Sequence, residues 1–276
     1  MDTGRHSLTP QEFLARLGRP DAPRVLDVRR SERFAQSQRL LPSAAHCLPE
    51  RVEALADGRE EQDWVVYCVH GHEVSQGAAA MLRAAGGRAR HLEGGIEAMV
   101  EAGLPTLRKR PDLGVTGESP SRWITRARPK IDRVACPWLI RRFIDPRAEF
   151  FYVPAEQVFA EAKRLQAVAY DIPGAGISHE GDHCSFDALL QAFDLRIPAL
   201  SELARIVRGA DTGQLQLAPQ APGLLALSLG LSRLHEDDQR MLEQAMPMYD
   251  ALYAWCREAQ AEAHSWKPES MPGAPS

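Results

Sequence analysis

The sequence predicts an α/β N-terminal domain, with a parallel sheet covered by helices on both faces, and a mainly helical α+β C-terminal domain. Two observations predict this organisation. In the first part of the chain, short apolar runs alternate with helical patterns, which is typical of parallel strands joined by crossover helices. In the second part, helical patterns outnumber strand-like runs, and a stretch rich in Pro, Gly and Ser separates the two parts.

Composition narrows the class of protein. Of the 276 residues, 44% are hydrophobic and 25% are charged, as in ordinary globular proteins. The net charge of −4 disfavours nucleic acid as a partner, although it does not exclude a local basic patch that binds nucleic acid. Residues 1–7 lack the apolar core of a signal peptide, and no stretch approaches the ~20 apolar residues of a membrane helix. We therefore expect a cytoplasmic protein with no membrane partner, whose five cysteines are free thiols.

The first elements are indicated by a cap and by apolar runs. Thr9, before a proline and an amphipathic pattern, predicts a short helix over 8–17. The apolar run 24–29 predicts a buried strand that ends on Asp27 and Arg29. This charged pair either anchors a loop or supports a site. Further on, the pattern predicts a polar helix over 51–56, a strand over 88–92 and a glycine turn over 93–96.

The stretch around Cys68 carries the clearest chemistry. The apolar strand 64–67 runs into Cys68, a glycine-centred loop follows, and a helix of small residues begins at Gln76. Unpaired amides and the dipole of a helix N-terminus stabilise a thiolate or a bound oxyanion. The alternative is a packed side chain, because free cysteine is often buried. His70 and His72 beside the thiol favour the functional interpretation.

Three motifs in the N-terminal part together resemble a single rhodanese (sulfurtransferase) domain over about residues 5–107. They are Leu26-Asp27-Val28-Arg29, Val65-Val66-Tyr67-Cys68 and Leu92-Glu93-Gly94-Gly95-Ile96. The resemblance implies a nucleophilic Cys68 that takes a sulfane sulfur from a small donor, becomes a persulfide and passes the sulfur to a thiol acceptor. It also implies an anion-binding loop made of Val69, His70, Gly71, His72, Glu73 and Val74.

The loop departs from the family pattern. It holds no Arg or Lys, and Glu73 would oppose a dianionic donor such as thiosulfate. Val74 stands where phosphatase relatives place an arginine, which argues against phosphatase chemistry. We therefore expect persulfide chemistry with thiosulfate as a poor donor.

The next stretch is interpreted as an exposed linker over 108–120, between domains at 5–107 and 121–265, with a flexible tail at 266–276. Seven basic residues between 122 and 142 indicate either a solvated face or a pocket for a small anion. A helix expected from Pro137 would place Cys136 at its N-terminus, where the thiol is either packed or reactive.

Ligand-type residues are densest between 178 and 187. A loop here offers His179, His183 and Cys184 to a borderline metal such as zinc or iron, while Ser185 is placed to cap the following helix. A polar loop held by local hydrogen bonds is the equally weighted alternative. The remaining patterns predict an apolar core helix over 222–231. They also predict a long amphipathic helix over 237–263, which is kinked at Pro247 and buries Cys256.

The second half, over roughly 121–260, resembles the C-terminal domain of the chromate-resistance protein B family. The resemblance rests on the stretches 130–145 and 179–187 and on Ala210-Asp211. It implies a role in chromate tolerance, with chromate or another oxyanion as a partner. On chemistry alone, the metal candidates are His179, His183, Cys184 and Asp211. A rhodanese-like domain replaces the N-terminal portion of the family's regulators, which weakens a DNA-binding interpretation.

Three hypotheses remain open from the sequence. The first is a sulfurtransferase that uses a Cys68 persulfide and is linked to chromate resistance. The second is a non-catalytic sensor or regulator of the chromate response that binds a metal or an oxyanion. The third is a thiol-based oxyanion reductase, in which Cys136 or Cys184 resolves an intermediate on Cys68.

Overall fold

The computed structural model describes residues 6–56 and 62–262. The tail predicted over 266–276 therefore lies outside the described residues. No helix among the described residues is long and apolar enough to cross a membrane.

Parallel strands make up the main sheet of the N-terminal part. Their spatial order is β1-β6-β5-β2-β4, and all four pairings are parallel. The strands are β1 (Ser7–Leu8), β2 (Arg24–Asp27), β4 (Ala44–His46), β5 (Asp63–Tyr67) and β6 (Arg88–Leu92), and the short β3 (Arg39–Leu40) lies outside this sheet. The helices of this part are α1 (Pro10–Arg16), α2 (Ser31–Gln36), α3 (Val52–Ala56), α4 (Glu73–Ala84) and α5 (Gly95–Glu101).

Alternate residues of β5 show how the sheet is covered. Val65 and Tyr67 belong to one buried cluster, which includes residues of α1 and α5. Trp64 and Val66 belong to a second cluster, which includes residues of α3 and α4. Because successive side chains of a strand point to opposite faces, both faces of the sheet carry helices. The predicted fold class of the N-terminal part is confirmed.

The C-terminal part combines a small sheet with six α-helices among the described residues. The sheet is parallel, in the order β10-β8-β9. Its strands are β8 (Arg122–Arg126), β9 (Glu149–Val153) and β10 (Val168–Ala169). The helices are α6 (Asp132–Leu139), α7 (Val158–Leu165), α8 (Ser185–Phe193), α9 (Pro198–Asp211), α10 (Ala221–Leu234) and α11 (Asp238–Ala254). The mainly helical α+β class is confirmed.

The segment predicted as an exposed linker is instead packed into the protein. Its first residue, Arg108, is part of β7 (Leu107–Arg108), which pairs antiparallel with β3. Leu113 and Val115 are buried in the same cluster as residues of both halves. The expectation of an exposed linker was wrong because isolated apolar residues between Pro and Gly can bury themselves without any periodic pattern. The domain boundaries at 107 and 121 stay predictions.

Helix α6 begins five residues earlier than the sequence indicates, at Asp132 instead of Pro137. Pro137 inside the helix has no amide hydrogen for the carbonyl of Arg133. The hydroxyl of Tyr170 donates to that carbonyl at 3.2 Å, so the carbonyl keeps a partner. Cys136 is therefore buried within the helix and does not lie at its N-terminus.

Two further expectations about helices were wrong. Ser185 is not the cap of α8, because the N-cap position is taken by Cys184 and Ser185 is the first helical residue. Helix α10 is not buried all round, since Leu227 and Leu234 are 57% and 77% exposed. An apolar composition on every side of a helix does not require burial on every side.

Candidate functional sites

Cys68 lies at the carboxyl end of β5, directly before the loop that leads into α4. Its side chain is 7% exposed, and Sγ lies 3.2 Å from Oγ of Ser75 in the first turn of α4. Helix α4 begins at Glu73, three residues earlier than the predicted start at Gln76. The thiol is consequently closer to the helix N-terminus than the sequence indicated.

The loop after Cys68 leaves its amides available. Among the described residues, no amide from Val69 to Glu73 donates a hydrogen bond to a backbone carbonyl or a side chain. The carbonyls of Cys68 and Val69 instead accept from Ile96 and Glu97, at 3.1 and 3.2 Å. With its carbonyls held on α5, the loop presents free N–H groups, as an anion-binding loop requires.

Gly71 and Gly95 allow the loop to pack this closely. Both have positive φ, +72° and +60°. A Cβ on Gly71 would lie 2.5 Å from the carbonyl oxygen of Leu92, and a Cβ on Gly95 would lie 2.4 Å from that of Val69. Any side chain at these positions would push the loop away from α5 and change its shape.

A buried ion pair anchors the strand beside β5. Nη2 of Arg29 lies 2.6 Å from Oδ2 of Asp27, and the two side chains are 2% and 0% exposed. The hydroxyl of Tyr67, the residue before Cys68, donates to the same carboxylate at 2.8 Å. Burial and the Asp27 charge raise the pKa of Tyr67 well above its ordinary value, which keeps the hydroxyl protonated as a donor. Asp27 and Arg29 therefore stabilise the strands that lead into the loop. Their contact with this segment is through the Tyr67 hydroxyl and not through the Cys68 thiol.

The loop surface carries histidines and no cationic side chain of Lys or Arg type. His70, His72 and Glu73 are exposed, and the two imidazole rings are 5.9 Å apart. Of the residues predicted to form the anion-binding loop, Val69 to His72 lie between β5 and α4, whereas Glu73 and Val74 are the first residues of α4. Their role in binding an anion stays a prediction.

A second cluster of polar side chains lies in the C-terminal part. Nε2 of His179 is 3.0 Å from Oδ2 of Asp211 and 3.3 Å from Oδ1 of Asp171. The same nitrogen is 3.7 Å from Oδ2 of Asp132. Asp132 begins α6 and Asp211 ends α9, so distant segments of the chain bring these groups together.

Burial and mutual repulsion act on these carboxyls. The pKa of Asp132 is raised well above its ordinary value, first by burial and then by the charges of Asp211 and Asp171. Burial and the charge of Asp171 also raise the pKa of Asp211. Backbone amides of Ser185 and Phe186 donate to Asp132 at 2.6 and 3.0 Å, which partly offsets this.

The predicted metal candidates do not all meet. His179 and Asp211 are in contact, whereas His183 is exposed in a turn with Glu180. Cys184 is fully buried, and burial raises the pKa of its thiol far above the ordinary value. Its amide donates to Oδ2 of Asp187 at 3.0 Å, which serves the cap of α8.

Sequence reasoning missed Asp132 and Asp171 as members of this cluster. Both stand where an element begins or ends, since Asp132 starts α6 and Asp171 follows β10. Asp171 has a positive φ of 49°, which is uncommon outside glycine. An acidic residue just after an apolar strand was the one signal in the sequence that could have identified Asp171.

Two cavities lie near these elements but contain neither Cys68 nor the carboxylate cluster. One of about 730 Å³ is lined by residues that include Glu180, His183 and Asp187. The other, of about 1080 Å³, is lined by residues that include Cys47 and Lys109.

Of the five cysteines, Cys47 and Cys68 lie in the N-terminal part. Cys68 packs in the cluster between the sheet and α4. Cys136 and Cys184 belong to the other cluster, and burial raises the pKa of both thiols. The burial of these two thiols counts against the oxyanion-reductase hypothesis, because a resolving thiol reacts as an accessible thiolate.

Comparison with known proteins finds two family models that match separate parts of the chain. The Rhodanese-like domain model matches residues 9–102, and the model "ChrB, C-terminal domain" matches residues 123–256. Protein ChrB of Cupriavidus metallidurans is 34% identical over 150 residues. That alignment covers 51% of this chain and 45% of the relative, so the chain spans less than half of the relative's length.

Solved structures are similar to about a third of the chain. A rhodanese homolog of Thermus thermophilus is 29% identical and covers 33% of this chain and 98% of its own, with a TM-score of 0.28. Thiosulfate sulfurtransferase of Pseudomonas aeruginosa is 28% identical and covers 37% of this chain and 19% of its own, with a TM-score of 0.30. Both resemblances expected from the sequence are confirmed by the family models. The chain joins a rhodanese-like domain, over residues 9–102, to a ChrB C-terminal domain, over residues 123–256.

Proposed function

We propose that this protein is a sulfurtransferase that carries sulfur as a persulfide on Cys68. The observation that supports this most directly is the position of Cys68 between a parallel strand and a helix N-terminus, below a loop whose amides are free. A thiolate and a bound anion are both stabilised in such a position. The rhodanese-like domain supplies the class of reaction.

The reaction has two steps. The thiolate of Cys68 attacks the sulfane sulfur of a donor, so that a new S–S bond forms on Sγ while the S–S bond of the donor breaks and its thiolate leaves. An acceptor thiolate then attacks the outer sulfur, which transfers that sulfur and restores the Cys68 thiolate. The free loop amides stabilise the negative charge carried by the donor and by the persulfide.

Charges around the loop bear on the choice of donor. No Lys or Arg stands between 69 and 74, and Glu73 opens α4. A carboxylate near the thiol disfavours a dianion such as thiosulfate more than a donor of lower charge. We propose a low-molecular-weight persulfide as the preferred donor and a thiol as the acceptor.

Chromate stress is the setting we propose for this activity. The second half is a ChrB C-terminal domain, and its sequence resembles the chromate-resistance protein B family. Cytoplasmic thiols stay reduced, and all five cysteines of this chain are unpaired, so we place the reaction in the cytoplasm.

The test is sulfur loading followed by transfer. Wild-type protein is incubated with glutathione persulfide or thiosulfate, and the intact mass is measured for the gain of one sulfur atom. We expect Cys68→Ser to lose both this gain and the formation of thiocyanate from cyanide. The matched control is Cys47→Ser, which changes a half-buried thiol of the same domain and is expected to keep both. Unchanged transfer by Cys68→Ser would refute the proposal.

A second candidate function is supported by the carboxylate cluster. The C-terminal domain would act as a sensor that binds a metal or an oxyanion and alters a partner's affinity, with the N-terminal domain as a scaffold. The contact of His179 with Asp211 at 3.0 Å is the observation that favours it. A full-length protein that binds no metal or oxyanion in calorimetric titrations would remove this candidate.

A further inference from the structure

The carboxylates of Asp132 and Asp211 have little positive charge near them to compensate their negative charge. Asp132 is completely buried, where an ionised carboxylate is costly unless a cation compensates it. Among the described residues, His179 is the one side chain of basic type within 4 Å of either carboxylate. The nearby arginines Arg126 and Arg133 pair with Asp171, at 3.5 and 3.3 Å.

The three side chains have the geometry of a metal site. One donor atom from each of Asp132, His179 and Asp211 lies within 4.8 Å of the other two. Two donors bound at ~2.1 Å to one ion lie at most about 4.2 Å apart. The measured separations of 3.0 and 3.7 Å from Nε2 to the carboxylates already satisfy this limit. An ion can therefore bind after small movements of side chains.

The side chains that would bind the ion are fixed to different degrees. Asp132 is held by two amides at the start of α8, so its carboxylate is already oriented. The Asp211 carboxylate accepts from the Asp132 amide at 3.4 Å. His179 is 40% exposed on its loop, which leaves one open side through which an ion can enter. Such a site has two rigid oxygen ligands and one adjustable nitrogen ligand.

We propose that Asp132, His179 and Asp211 bind one divalent transition-metal ion, with Asp171 beside the ligands. This deepens the second candidate function, because it names the residues and the class of ion. Two carboxylates and one imidazole suit ions of the manganese-to-zinc series, while soft thiolate ligands would be needed for copper(I). The positive ion supplies the compensating charge that the buried Asp132 carboxylate otherwise lacks.

Asp171 takes a supporting place in this arrangement. Its carboxylate is 3.3 Å from Nε2 of His179 and accepts from Oγ of Ser185 at 2.9 Å. Arg126 and Arg133 pair with its other oxygen, so its charge is already compensated. Because its contact with His179 involves the same nitrogen that would bind the ion, Asp171 is a charged neighbour of the site and not a partner of the second imidazole nitrogen.

The ligand set differs from the one expected from the sequence. His183 and Cys184 are excluded because His183 points into solvent from its turn and Cys184 is buried in the cap of α8. The loss of Cys184 removes the only sulfur ligand of the expected set. The remaining nitrogen and oxygen ligands still suit the expected zinc or iron and also suit a harder ion such as Mn²⁺.

The test is a titration of metal-free, full-length protein with Mn²⁺. Binding is measured from the electron paramagnetic resonance signal of the ion that stays free. We expect one ion per chain, displaced by Zn²⁺ because zinc binds such sites more tightly. We expect His179→Ala and Asp211→Asn each to weaken binding by more than about 100-fold, since even indirect partners of metal ligands cost 10–100-fold. The matched control His183→Ala, in the same loop, keeps the wild-type affinity.

The outcomes separate this inference from the proposed functions. Absence of Mn²⁺ binding by the wild type, or unchanged binding by both ligand variants, overturns the site. Binding that is lost in His183→Ala also overturns this ligand set, although the sensor candidate would stand. Circular dichroism of each variant establishes that it is folded, and the conservative Asp211→Asn change preserves shape if His179→Ala does not fold. Cys68→Ser is expected to bind Mn²⁺ as the wild type does, so sulfur transfer is tested independently.

Discussion

Oγ of Ser75 lies 3.2 Å from Sγ of Cys68, in the first turn of α4. The hydroxyl donates its one hydrogen to the carbonyl of His72 at 3.1 Å, and it can rotate to donate to the sulfur instead once the thiol ionises. A hydrogen bond to a charged group contributes about 1.5–3 kcal/mol. Ser75→Ala should therefore slow alkylation of Cys68 by iodoacetamide at neutral pH by about tenfold or more.

Gln76→Ala is the matched control for this measurement. The side-chain amide of Gln76 donates through Nε2 to the carbonyl of Gly71 at 3.1 Å and so supports the same loop. Mass spectrometry of the peptide that contains Cys68 gives the rate for each variant. If Ser75→Ala reacts as fast as the wild type, or if both variants slow equally, the hydroxyl does not stabilise the thiolate.

The Asp27–Arg29 pair gives a prediction about stability. Arg29→Met would leave the Asp27 carboxylate buried without its cation, and breaking a buried pair in this way costs about 3–5 kcal/mol. The urea midpoint should fall accordingly. The control Arg164→Met breaks an exposed pair on α7 and is expected to leave the midpoint unchanged. Equal midpoints for Arg29→Met and the wild type would show that the pair does not anchor the strand.

Packing between the two halves can be tested at Gly18. A Cβ at this position would lie 2.2 Å from Cζ of Phe143, a ring that is fully buried. Gly18→Ala is expected to destabilise the protein by about 1–3 kcal/mol through overpacking, in addition to the strain of a positive φ. Gly103→Ala isolates the strain, because Gly103 has a φ of +63° and no atom near its added Cβ. If the two variants lose the same stability, Phe143 does not press on Gly18.

The N-terminal part could be predicted from its sequence because local patterns and fold agree there. The strand 88–92 was placed at its observed bounds, and Thr9 caps α1 with a complete capping box. Cys68 was identified because strand, cysteine, glycine loop and helix follow one another within about twenty residues, which a sequence window can detect. The buried pair of Asp27 and Arg29 remained ambiguous, since burial is not visible in a local pattern.

The C-terminal cluster could not be predicted in full because its members are far apart in the chain. Asp132, His179 and Asp211 come from the start of α6, a loop and the end of α9, and tertiary packing alone brings them together. Close spacing of His179 and Cys184 suggested a shared site, yet the turn after His179 sends Cys184 into the core. Sequence proximity is a weak guide to a shared ligand sphere when a turn lies between the residues.

His91 on β6 gives a prediction about pH. Burial lowers the pKa of its imidazole below the ordinary value of 6.5. As the pH falls below about 6.5, the unfolded chain takes up a proton that folded His91 does not, so the free energy of unfolding decreases. This loss continues until the pH falls through the lower pKa of the folded state. Above about 6.5 the imidazole is neutral in both states and contributes no slope.

The measurement compares wild type with His91→Gln, since other groups titrate in both proteins and cancel in the difference. We expect the free energy of unfolding of the wild type, from urea titrations, to fall relative to that of the variant as the pH is lowered from 7 to about 5. The nearby charges of Glu93 and Arg83 are unchanged in the variant and act in opposite directions on the imidazole. A difference that stays constant over this range would mean that His91 is protonated equally in both states, and that burial at this end of β6 does not exclude the charged imidazole.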